Sequence, residues 1–171
     1  MLNSSFNNIA AFFRIIKCKT YDIYNNYDRD NIAIRQKESP YLYDKISYFF
    51  TSPSLIITHN NNNIYLGSGY SSANYNTLSE LNITKIINVT AEIPNYFEDN
   101  FSYLQVPIFD NSHATLYEHF DNIIEFLDSD TPDQNIFIHC YQGASRSASV
   151  VLLFLVFVCK YTLTDAISYL D

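Results

Sequence analysis

The sequence predicts an α/β fold: a central, mainly parallel sheet flanked by helices. Two observations carry this. From Ser54 onward, short apolar runs of strand length alternate with helix-length amphipathic stretches, the order that builds strand–helix–strand units. One strongly apolar run, Ile136-Phe137-Ile138, leads into a tight polar loop, and a second, Val150 to Cys159, leads out of it. That is the pattern of a buried strand, a turn and a buried helix. Functional groups in such sheets gather beyond the carboxyl ends of the strands, and the loop from His139 to Ser147 falls there.

The elements follow in order. Leu55-Ile56-Ile57-Thr58 reads as a strand, Asn60 to Asn63 as a polar turn and Ile64 to Gly67 as the returning strand. Ser72 to Leu81 suits a helix. Lys85 to Val89 is a short buried strand, and Tyr103 to Val106 another, ended by Pro107. Leu116 to Leu127 places Phe120, Ile123, Ile124 and Leu127 on one helical face, and Pro132 breaks the pattern. Thr162-Leu163-Thr164-Asp165 resembles a capping box before Ala166, Ile167 and Leu170.

Residues 1–53 differ. Clusters such as Tyr24-Asn25-Asn26-Tyr27-Asp28 carry no period, so a partly helical or disordered N-terminal extension precedes a domain spanning 54–171. Within the extension, Phe6, Ile9, Phe12, Phe13 and Ile16 recur at helical spacing. Such a helix can pack on the domain, bind a partner or lie on a membrane.

Composition narrows the function. The net charge of −8 argues against a nucleic-acid partner and against anionic membrane surfaces, although a local basic pocket centred on Arg146 fits within it. The three cysteines, Cys18, Cys140 and Cys159, show neither zinc spacing nor a disulfide framework, which suits a reducing compartment. Cys159 reads as a buried core thiol. Cys18 reads as a bystander, or as a resolving thiol for an oxidised Cys140. The apolar run Ile9 to Phe13 is closed early by Arg14 and Lys17, so no signal peptide is expected. Val150 to Cys159 is too short to span a bilayer, which takes ~20 residues. A soluble cytoplasmic protein is expected, without cofactor. No His, Cys or carboxylate cluster calls for a metal, and the oligomeric state is left open.

The loop carries the chemistry. Cys140 is followed six residues later by Arg146, with small residues between them whose backbone N–H groups can turn inward. Such a loop at a helix N-terminus is a site for a doubly charged oxyanion. The helix dipole and the guanidinium also favour a thiolate there. An anion cradle with a nucleophile in it means cleavage of a phosphate ester through a cysteinyl-phosphate. Arg146 can grip two phosphoryl oxygens with its planar fork, which a lysine could not copy.

The pattern His139-Cys140-x-x-Gly143-x-Ser145-Arg146-Ser147 resembles the signature of the protein tyrosine phosphatase superfamily, and within it the dual-specificity phosphatases. The resemblance covers about Ser54 to Asp171. Asn63 to Gly67 resembles that family's opening hairpin, and Ala73, Leu78 and Ile83 to Val89 its next helix and strand. Val106-Pro107-Ile108-Phe109-Asp110 is similar to the segment carrying its general acid, and Tyr117 to Leu127 to the helix after it.

The resemblance implies a cysteine phosphatase fold and a dual-specificity protein phosphatase, acting on phosphotyrosine and phosphoserine/phosphothreonine in protein substrates. Cys140 is then the nucleophile. Asp110 is the general acid that protonates the leaving oxygen and later the base toward water; its bland alternative is to cap the Leu116 helix, and Asp99 and Asp121 are weaker candidates. Ser147 donates to the Cys140 sulfur, caps the helix, or both. Tyr141, Gln142, Gly143, Ala144 and Ser145 bind phosphate with Arg146, mainly through backbone amides, Gly143 supplying the unusual turn. His139 orders the loop through its ring nitrogens. His113 and His119 face solvent, His113 within reach of substrate.

There are two departures from the family. The chain has no Trp, hence no Trp-Pro-Asp acid loop. Family domains run on for a further helix past the position of Asp171, so the C-terminal helix is cut short and the core is left partly open or covered by the N-terminal extension. Inositide-directed relatives place Lys inside the loop, where this chain has Tyr141, Gln142 and Ala144, which favours phosphoprotein. The alternatives are a catalytically weak, phosphoprotein-binding pseudophosphatase, and an RNA 5′- or lipid phosphatase.

Overall fold

A computed structural model describes residues 52–109, 115–128 and 133–170. The helix expected over Phe6–Ile16, and nearly all of the extension containing it, lie outside these residues. Five strands, β1 (Ser54–His59), β2 (Asn62–Ser68), β3 (Ile83–Asn88), β4 (Ser102–Gln105) and β5 (Asn135–Cys140), form one sheet. The helices are α1 (Gly69–Ser72), α2 (Tyr75–Glu80), α3 (Phe120–Leu127), α4 (Ser145–Leu153) and α5 (Leu163–Leu170).

Strand β5 explains the layout. Ile136, Ile138 and Cys140 join one core cluster and Phe137 the other, so both faces of the strand are buried. A strand apolar at nearly every position needs helices on both sides and a central place in the sheet. The strand order is β1-β2-β5-β3-β4. β2 and β3 flank β5 in parallel, and β4 runs parallel to β3. Only β1, at the edge, is antiparallel, closing a hairpin on β2. This is the mainly parallel α/β sheet that the sequence predicts.

The larger cluster packs Ile64, Ile87, Ile136 and Ile138 against Ile123 and Leu127 of α3, Val150 to Leu153 of α4 and Ala166 of α5. The smaller one gathers Leu78, Ile83, Ile86, Phe101 and Phe137. Lys85 links sheet and helix: its ammonium donates to the Phe126 carbonyl at 3.2 Å, near the C-terminal end of α3 where a cation is favoured, and lies 4.9 Å from the Phe126 ring centroid.

Several boundaries differ from expectation, each for a local reason. The hairpin turn is only Asn60-Asn61, both left-handed with φ 49° and 63°. Asparagine tolerates that region, so Asn62 and Asn63 are released to pair with His59 and Thr58. The helix expected over Ser72–Leu81 is interrupted, because the Asn74 side chain accepts from Thr77 N at 3.2 Å and starts a new helix. The Leu116 helix opens with a 3-10 turn, Leu116–His119. The final apolar helix begins earlier than its apolar run, at Ser145, and passes into a π-helical segment, Phe154–Val158. Cys159 is half-buried rather than fully buried, and burial pushes its thiol up to about 11. At α5, Thr162 Oγ1 accepts from Asp165 N at 3.1 Å and donates to its carboxylate at 2.7 Å, a hydroxyl-centred variant of the expected box. Among the described residues no helix is long and apolar enough to cross a membrane.

Candidate active site

The carboxyl ends of β2, β3 and β5 meet at one edge. Ser68 pairs with Cys140 and Asn88 with His139. Past Cys140 the chain leaves the sheet through Tyr141 to Ala144 and enters α4 at Ser145. The turn is fixed at two points. Gly69 N donates to Tyr141 O at 3.1 Å. Gly143 sits at φ +75°, and a Cβ there would lie 2.7 Å from the carbonyl carbon and oxygen of Gly67 and 2.9 Å from Ser68 N. Only glycine satisfies both the left-handed backbone and this approach.

The N-cap position of α4 is held by Ala144, whose own side chain cannot cap the helix. The leading amides of a helix need a partner, and an anion can supply one. Beside this N-terminus Cys140 is 2% exposed. The Ser147 hydroxyl, also buried, donates to Cys140 Sγ at 3.2 Å. Ser147 is therefore set to bond sulfur, with Ala144 O a second acceptor at 3.5 Å.

Arg146 is the second residue of α4, its side chain 9% exposed. Its Nη1 donates to Glu92 Oε1 at 2.8 Å and to Ile108 O at 2.9 Å. Burial pushes the Glu92 carboxyl up, but hydrogen bonds from Arg146 and the backbone, with the guanidinium charge, outweigh it and hold it below the usual carboxylate range. Among the described residues no group of His, Cys, Asp and Glu could hold a metal ion.

Fully buried, His139 stacks on Phe137 at 5.4 Å between ring centroids, with 16° between planes. Among the described residues neither ring nitrogen has a hydrogen-bond partner of good geometry, although the Cys140 backbone lies close enough to act on the ring. Val89 N instead donates to the His139 carbonyl at 2.8 Å, so its backbone is what ties the strand end to the loop after β3. Burial lowers the imidazole to about 4 against a smaller opposing effect of the Cys140 backbone.

Asp110 and His113 lie outside the described residues. The segment before Asp110 does reach the site, through the Ile108 carbonyl on Arg146. Asp99 and Asp121 are exposed, and His119 is half-buried rather than solvent-facing. Tyr141 and Gln142 are exposed, whereas Gly143, Ala144 and Ser145 are half-buried.

Two residues were not singled out from the sequence, Glu92 and Asn88. Asn88 is fully buried at the end of β3. Its amide donates to Ile93 O (2.8 Å), Asn95 Oδ1 (3.0 Å) and Gln105 Oε1 (3.1 Å), and its oxygen accepts from Thr90 Oγ1 at 2.7 Å. Gln105 in turn donates to the Thr90 carbonyl. The only signal for either residue was position, at or just after the carboxyl end of the strand ending at Asn88.

With this geometry in view, the comparisons with known proteins are direct. The model of the dual specificity phosphatase catalytic domain matches residues 64–171, and the chain belongs to that family. It is 37% identical over 107 residues to dual specificity protein phosphatase 1-B of Xenopus laevis, covering 62% of this chain and 29% of that protein. It is 42% identical over 108 residues to dual specificity protein phosphatase 9 of Homo sapiens, covering 61% and 28%. The chain thus spans less than a third of the length of these relatives. Among solved structures, the human tyrosine phosphatase-like serine/threonine/tyrosine-interacting protein superposes with a TM-score of 0.60 at 25% identity, covering 70% of this chain and 82% of that one.

Proposed function

We propose that this chain is a dual-specificity protein phosphatase that hydrolyses phosphotyrosine and phosphoserine/phosphothreonine in proteins through a cysteinyl-phosphate. The observation that carries the proposal is the Ser147 hydroxyl on the Cys140 sulfur, 3.2 Å apart, beside a helix N-terminus whose N-cap residue is Ala144. In the first step the Cys140 thiolate attacks phosphorus. The ester P–O bond breaks as Asp110 gives its proton to the leaving oxygen. In the second step water loses a proton to the Asp110 carboxylate and attacks phosphorus. The S–P bond breaks, inorganic phosphate departs, and the returning thiolate is stabilised by the Ser147 O–H. Arg146 and the loop amides hold the phosphoryl oxygens through both steps. Tyr141, Gln142 and Ala144 bring no ammonium into the loop, which supports a phosphoprotein over a polyanionic lipid head group.

The test is hydrolysis of p-nitrophenyl phosphate and of phosphotyrosyl and phosphothreonyl peptides by the unmutated chain and by Cys140→Ser. Turnover of all three that vanishes in the variant is expected. Phosphopeptide binding without turnover would make the chain a binding module instead. Faster hydrolysis of an inositide or of triphosphate-ended RNA would move the substrate class.

A further inference from the structure

One carboxylate at the site has no part in the steps above. Glu92 stands in the loop after β3, and its contact with Arg146 comes from a different strand end than the nucleophile. Both Nη1 hydrogens of Arg146 are committed, one to Glu92 Oε1 at 2.8 Å and one to the Ile108 carbonyl at 2.9 Å. The Glu92 distance is that of a charge-assisted bond. Glu92 is itself steadied, because its Oε2 accepts from Ala91 N at 3.1 Å. The loop bearing it is closed from beneath by the Asn88 amide, and Thr90 Oγ1 accepts from Ile93 N at 3.1 Å. Ile93 presses on the other anchor of the nucleophile loop: a Cβ added to Gly69 would collide with Ile93 Cδ1. The loop after β3 therefore bears on the anion site twice, at the guanidinium and at the residue that anchors Tyr141.

We propose that Glu92 is a positioning residue for oxyanion binding, tethering the Nη1 corner of Arg146 so that the guanidinium is already oriented when a phosphoryl group arrives. The proposal rests on the phosphatase reading of the site. Its physical sense lies in two opposed effects. A negative charge this close to a bound dianion weakens binding. Ordering a long, rotamer-rich side chain in advance strengthens it, because the ligand need not do so on arrival. A carboxylate at this point serves the site only if ordering wins, and one pair of variants separates the effects. Gln at position 92 keeps an acceptor for Nη1 and loses the charge; Ala loses both.

The experiment measures tungstate binding by calorimetry and kcat/KM for p-nitrophenyl phosphate on the full chain, in the unmutated form, Glu92→Ala and Glu92→Gln, with thermal midpoints recorded alongside. Glu92→Ala should lower tungstate affinity and kcat/KM together, by about ten- to a hundredfold for a lost charge-assisted contact. Glu92→Gln should recover most of that loss. A salt bridge that merely stabilised the fold would move the thermal midpoint and leave the tungstate affinity of the folded protein alone, and that result overturns the proposal. Tighter tungstate binding in both variants overturns it too, since the charge would then outweigh the ordering. A chain that binds tungstate, loses it in Glu92→Ala and regains it in Glu92→Gln, yet never turns over substrate, upholds the tether and removes the enzyme. Turnover unaltered in Glu92→Ala upholds the enzyme and removes the tether. An unmutated chain that does not bind tungstate overturns both.

Discussion

Acidification loads a proton onto His139 in the unfolded chain well before the folded chain accepts one. The imidazole titrates at 6.5 in the ordinary case and at about 4 in the fold, where burial against Phe137 disfavours its charged form. Between those values the unfolded state binds more protons, so stability falls as the pH drops from 6.5 to about 4 and is fully present only above that window. At ~1.36 kcal/mol per pH unit, this one group removes about 3 kcal/mol by the lower end. Against the ~5–15 kcal/mol typical of a whole domain, that is a large share. Carboxylates contribute to acid unfolding too, so the imidazole is isolated by difference. Urea denaturation of the unmutated chain and of His139→Asn is followed across the window. His139→Asn is less stable at neutral pH, having lost the stacked ring. The gap between the two proteins should shrink by about 3 kcal/mol as the pH falls through the window, because only one of them carries the titrating group. A gap that stays constant would refute the assignment of a buried, neutral imidazole.

Two further outcomes are expected at the site. Gly143→Ala forces a side chain onto a left-handed backbone and within 2.7 Å of the Gly67 backbone, so it should cost about 1–3 kcal/mol of stability in thermal or urea melts and weaken tungstate binding in calorimetry. A protein with both quantities unaltered would mean that the loop adopts another path. Asp110→Ala should lower kcat with phosphopeptides by ~10²–10⁴-fold and leave tungstate affinity nearly unchanged, as befits a group acting on the leaving oxygen. An unaltered rate would hand the acid role to Asp99 or Asp121.

Much of the sheet was legible because its strands are apolar runs bounded by turn residues. β3 and β5 carry their burial in their composition, and the period of two in Ile136-Phe137-Ile138 separates the two cores directly. The loop was legible because thiol and guanidinium stand at a fixed spacing between a strand and a helix. The start of α4 was hidden: Ser145 to Ser149 is small and largely polar, and its helicity comes from its place after the turn. The stacking of His139 on Phe137 was hidden as well. Sequence shows that a histidine lies in a buried strand, but not whether its neighbours offer acceptors, and here the neighbour is the Phe137 ring. Glu92 was the hardest. A carboxylate in a loop of an acidic chain has no period and no motif. Its meaning depends on β3 lying next to β5, and strand order is a property of the whole sheet that local patterns do not encode.

The seat of Gly143 on Gly67 and Ser68 has a temporal meaning. The thiol, the turn and α4 are contiguous in the chain and can assemble locally, whereas the surface on which the turn rests is delivered by a hairpin from far upstream. Long-range contacts of this kind close late, because the intervening chain must first surrender its freedom. A molecule whose hairpin has come away thus keeps its sulfur and its turn but loses the surface on which that turn rests.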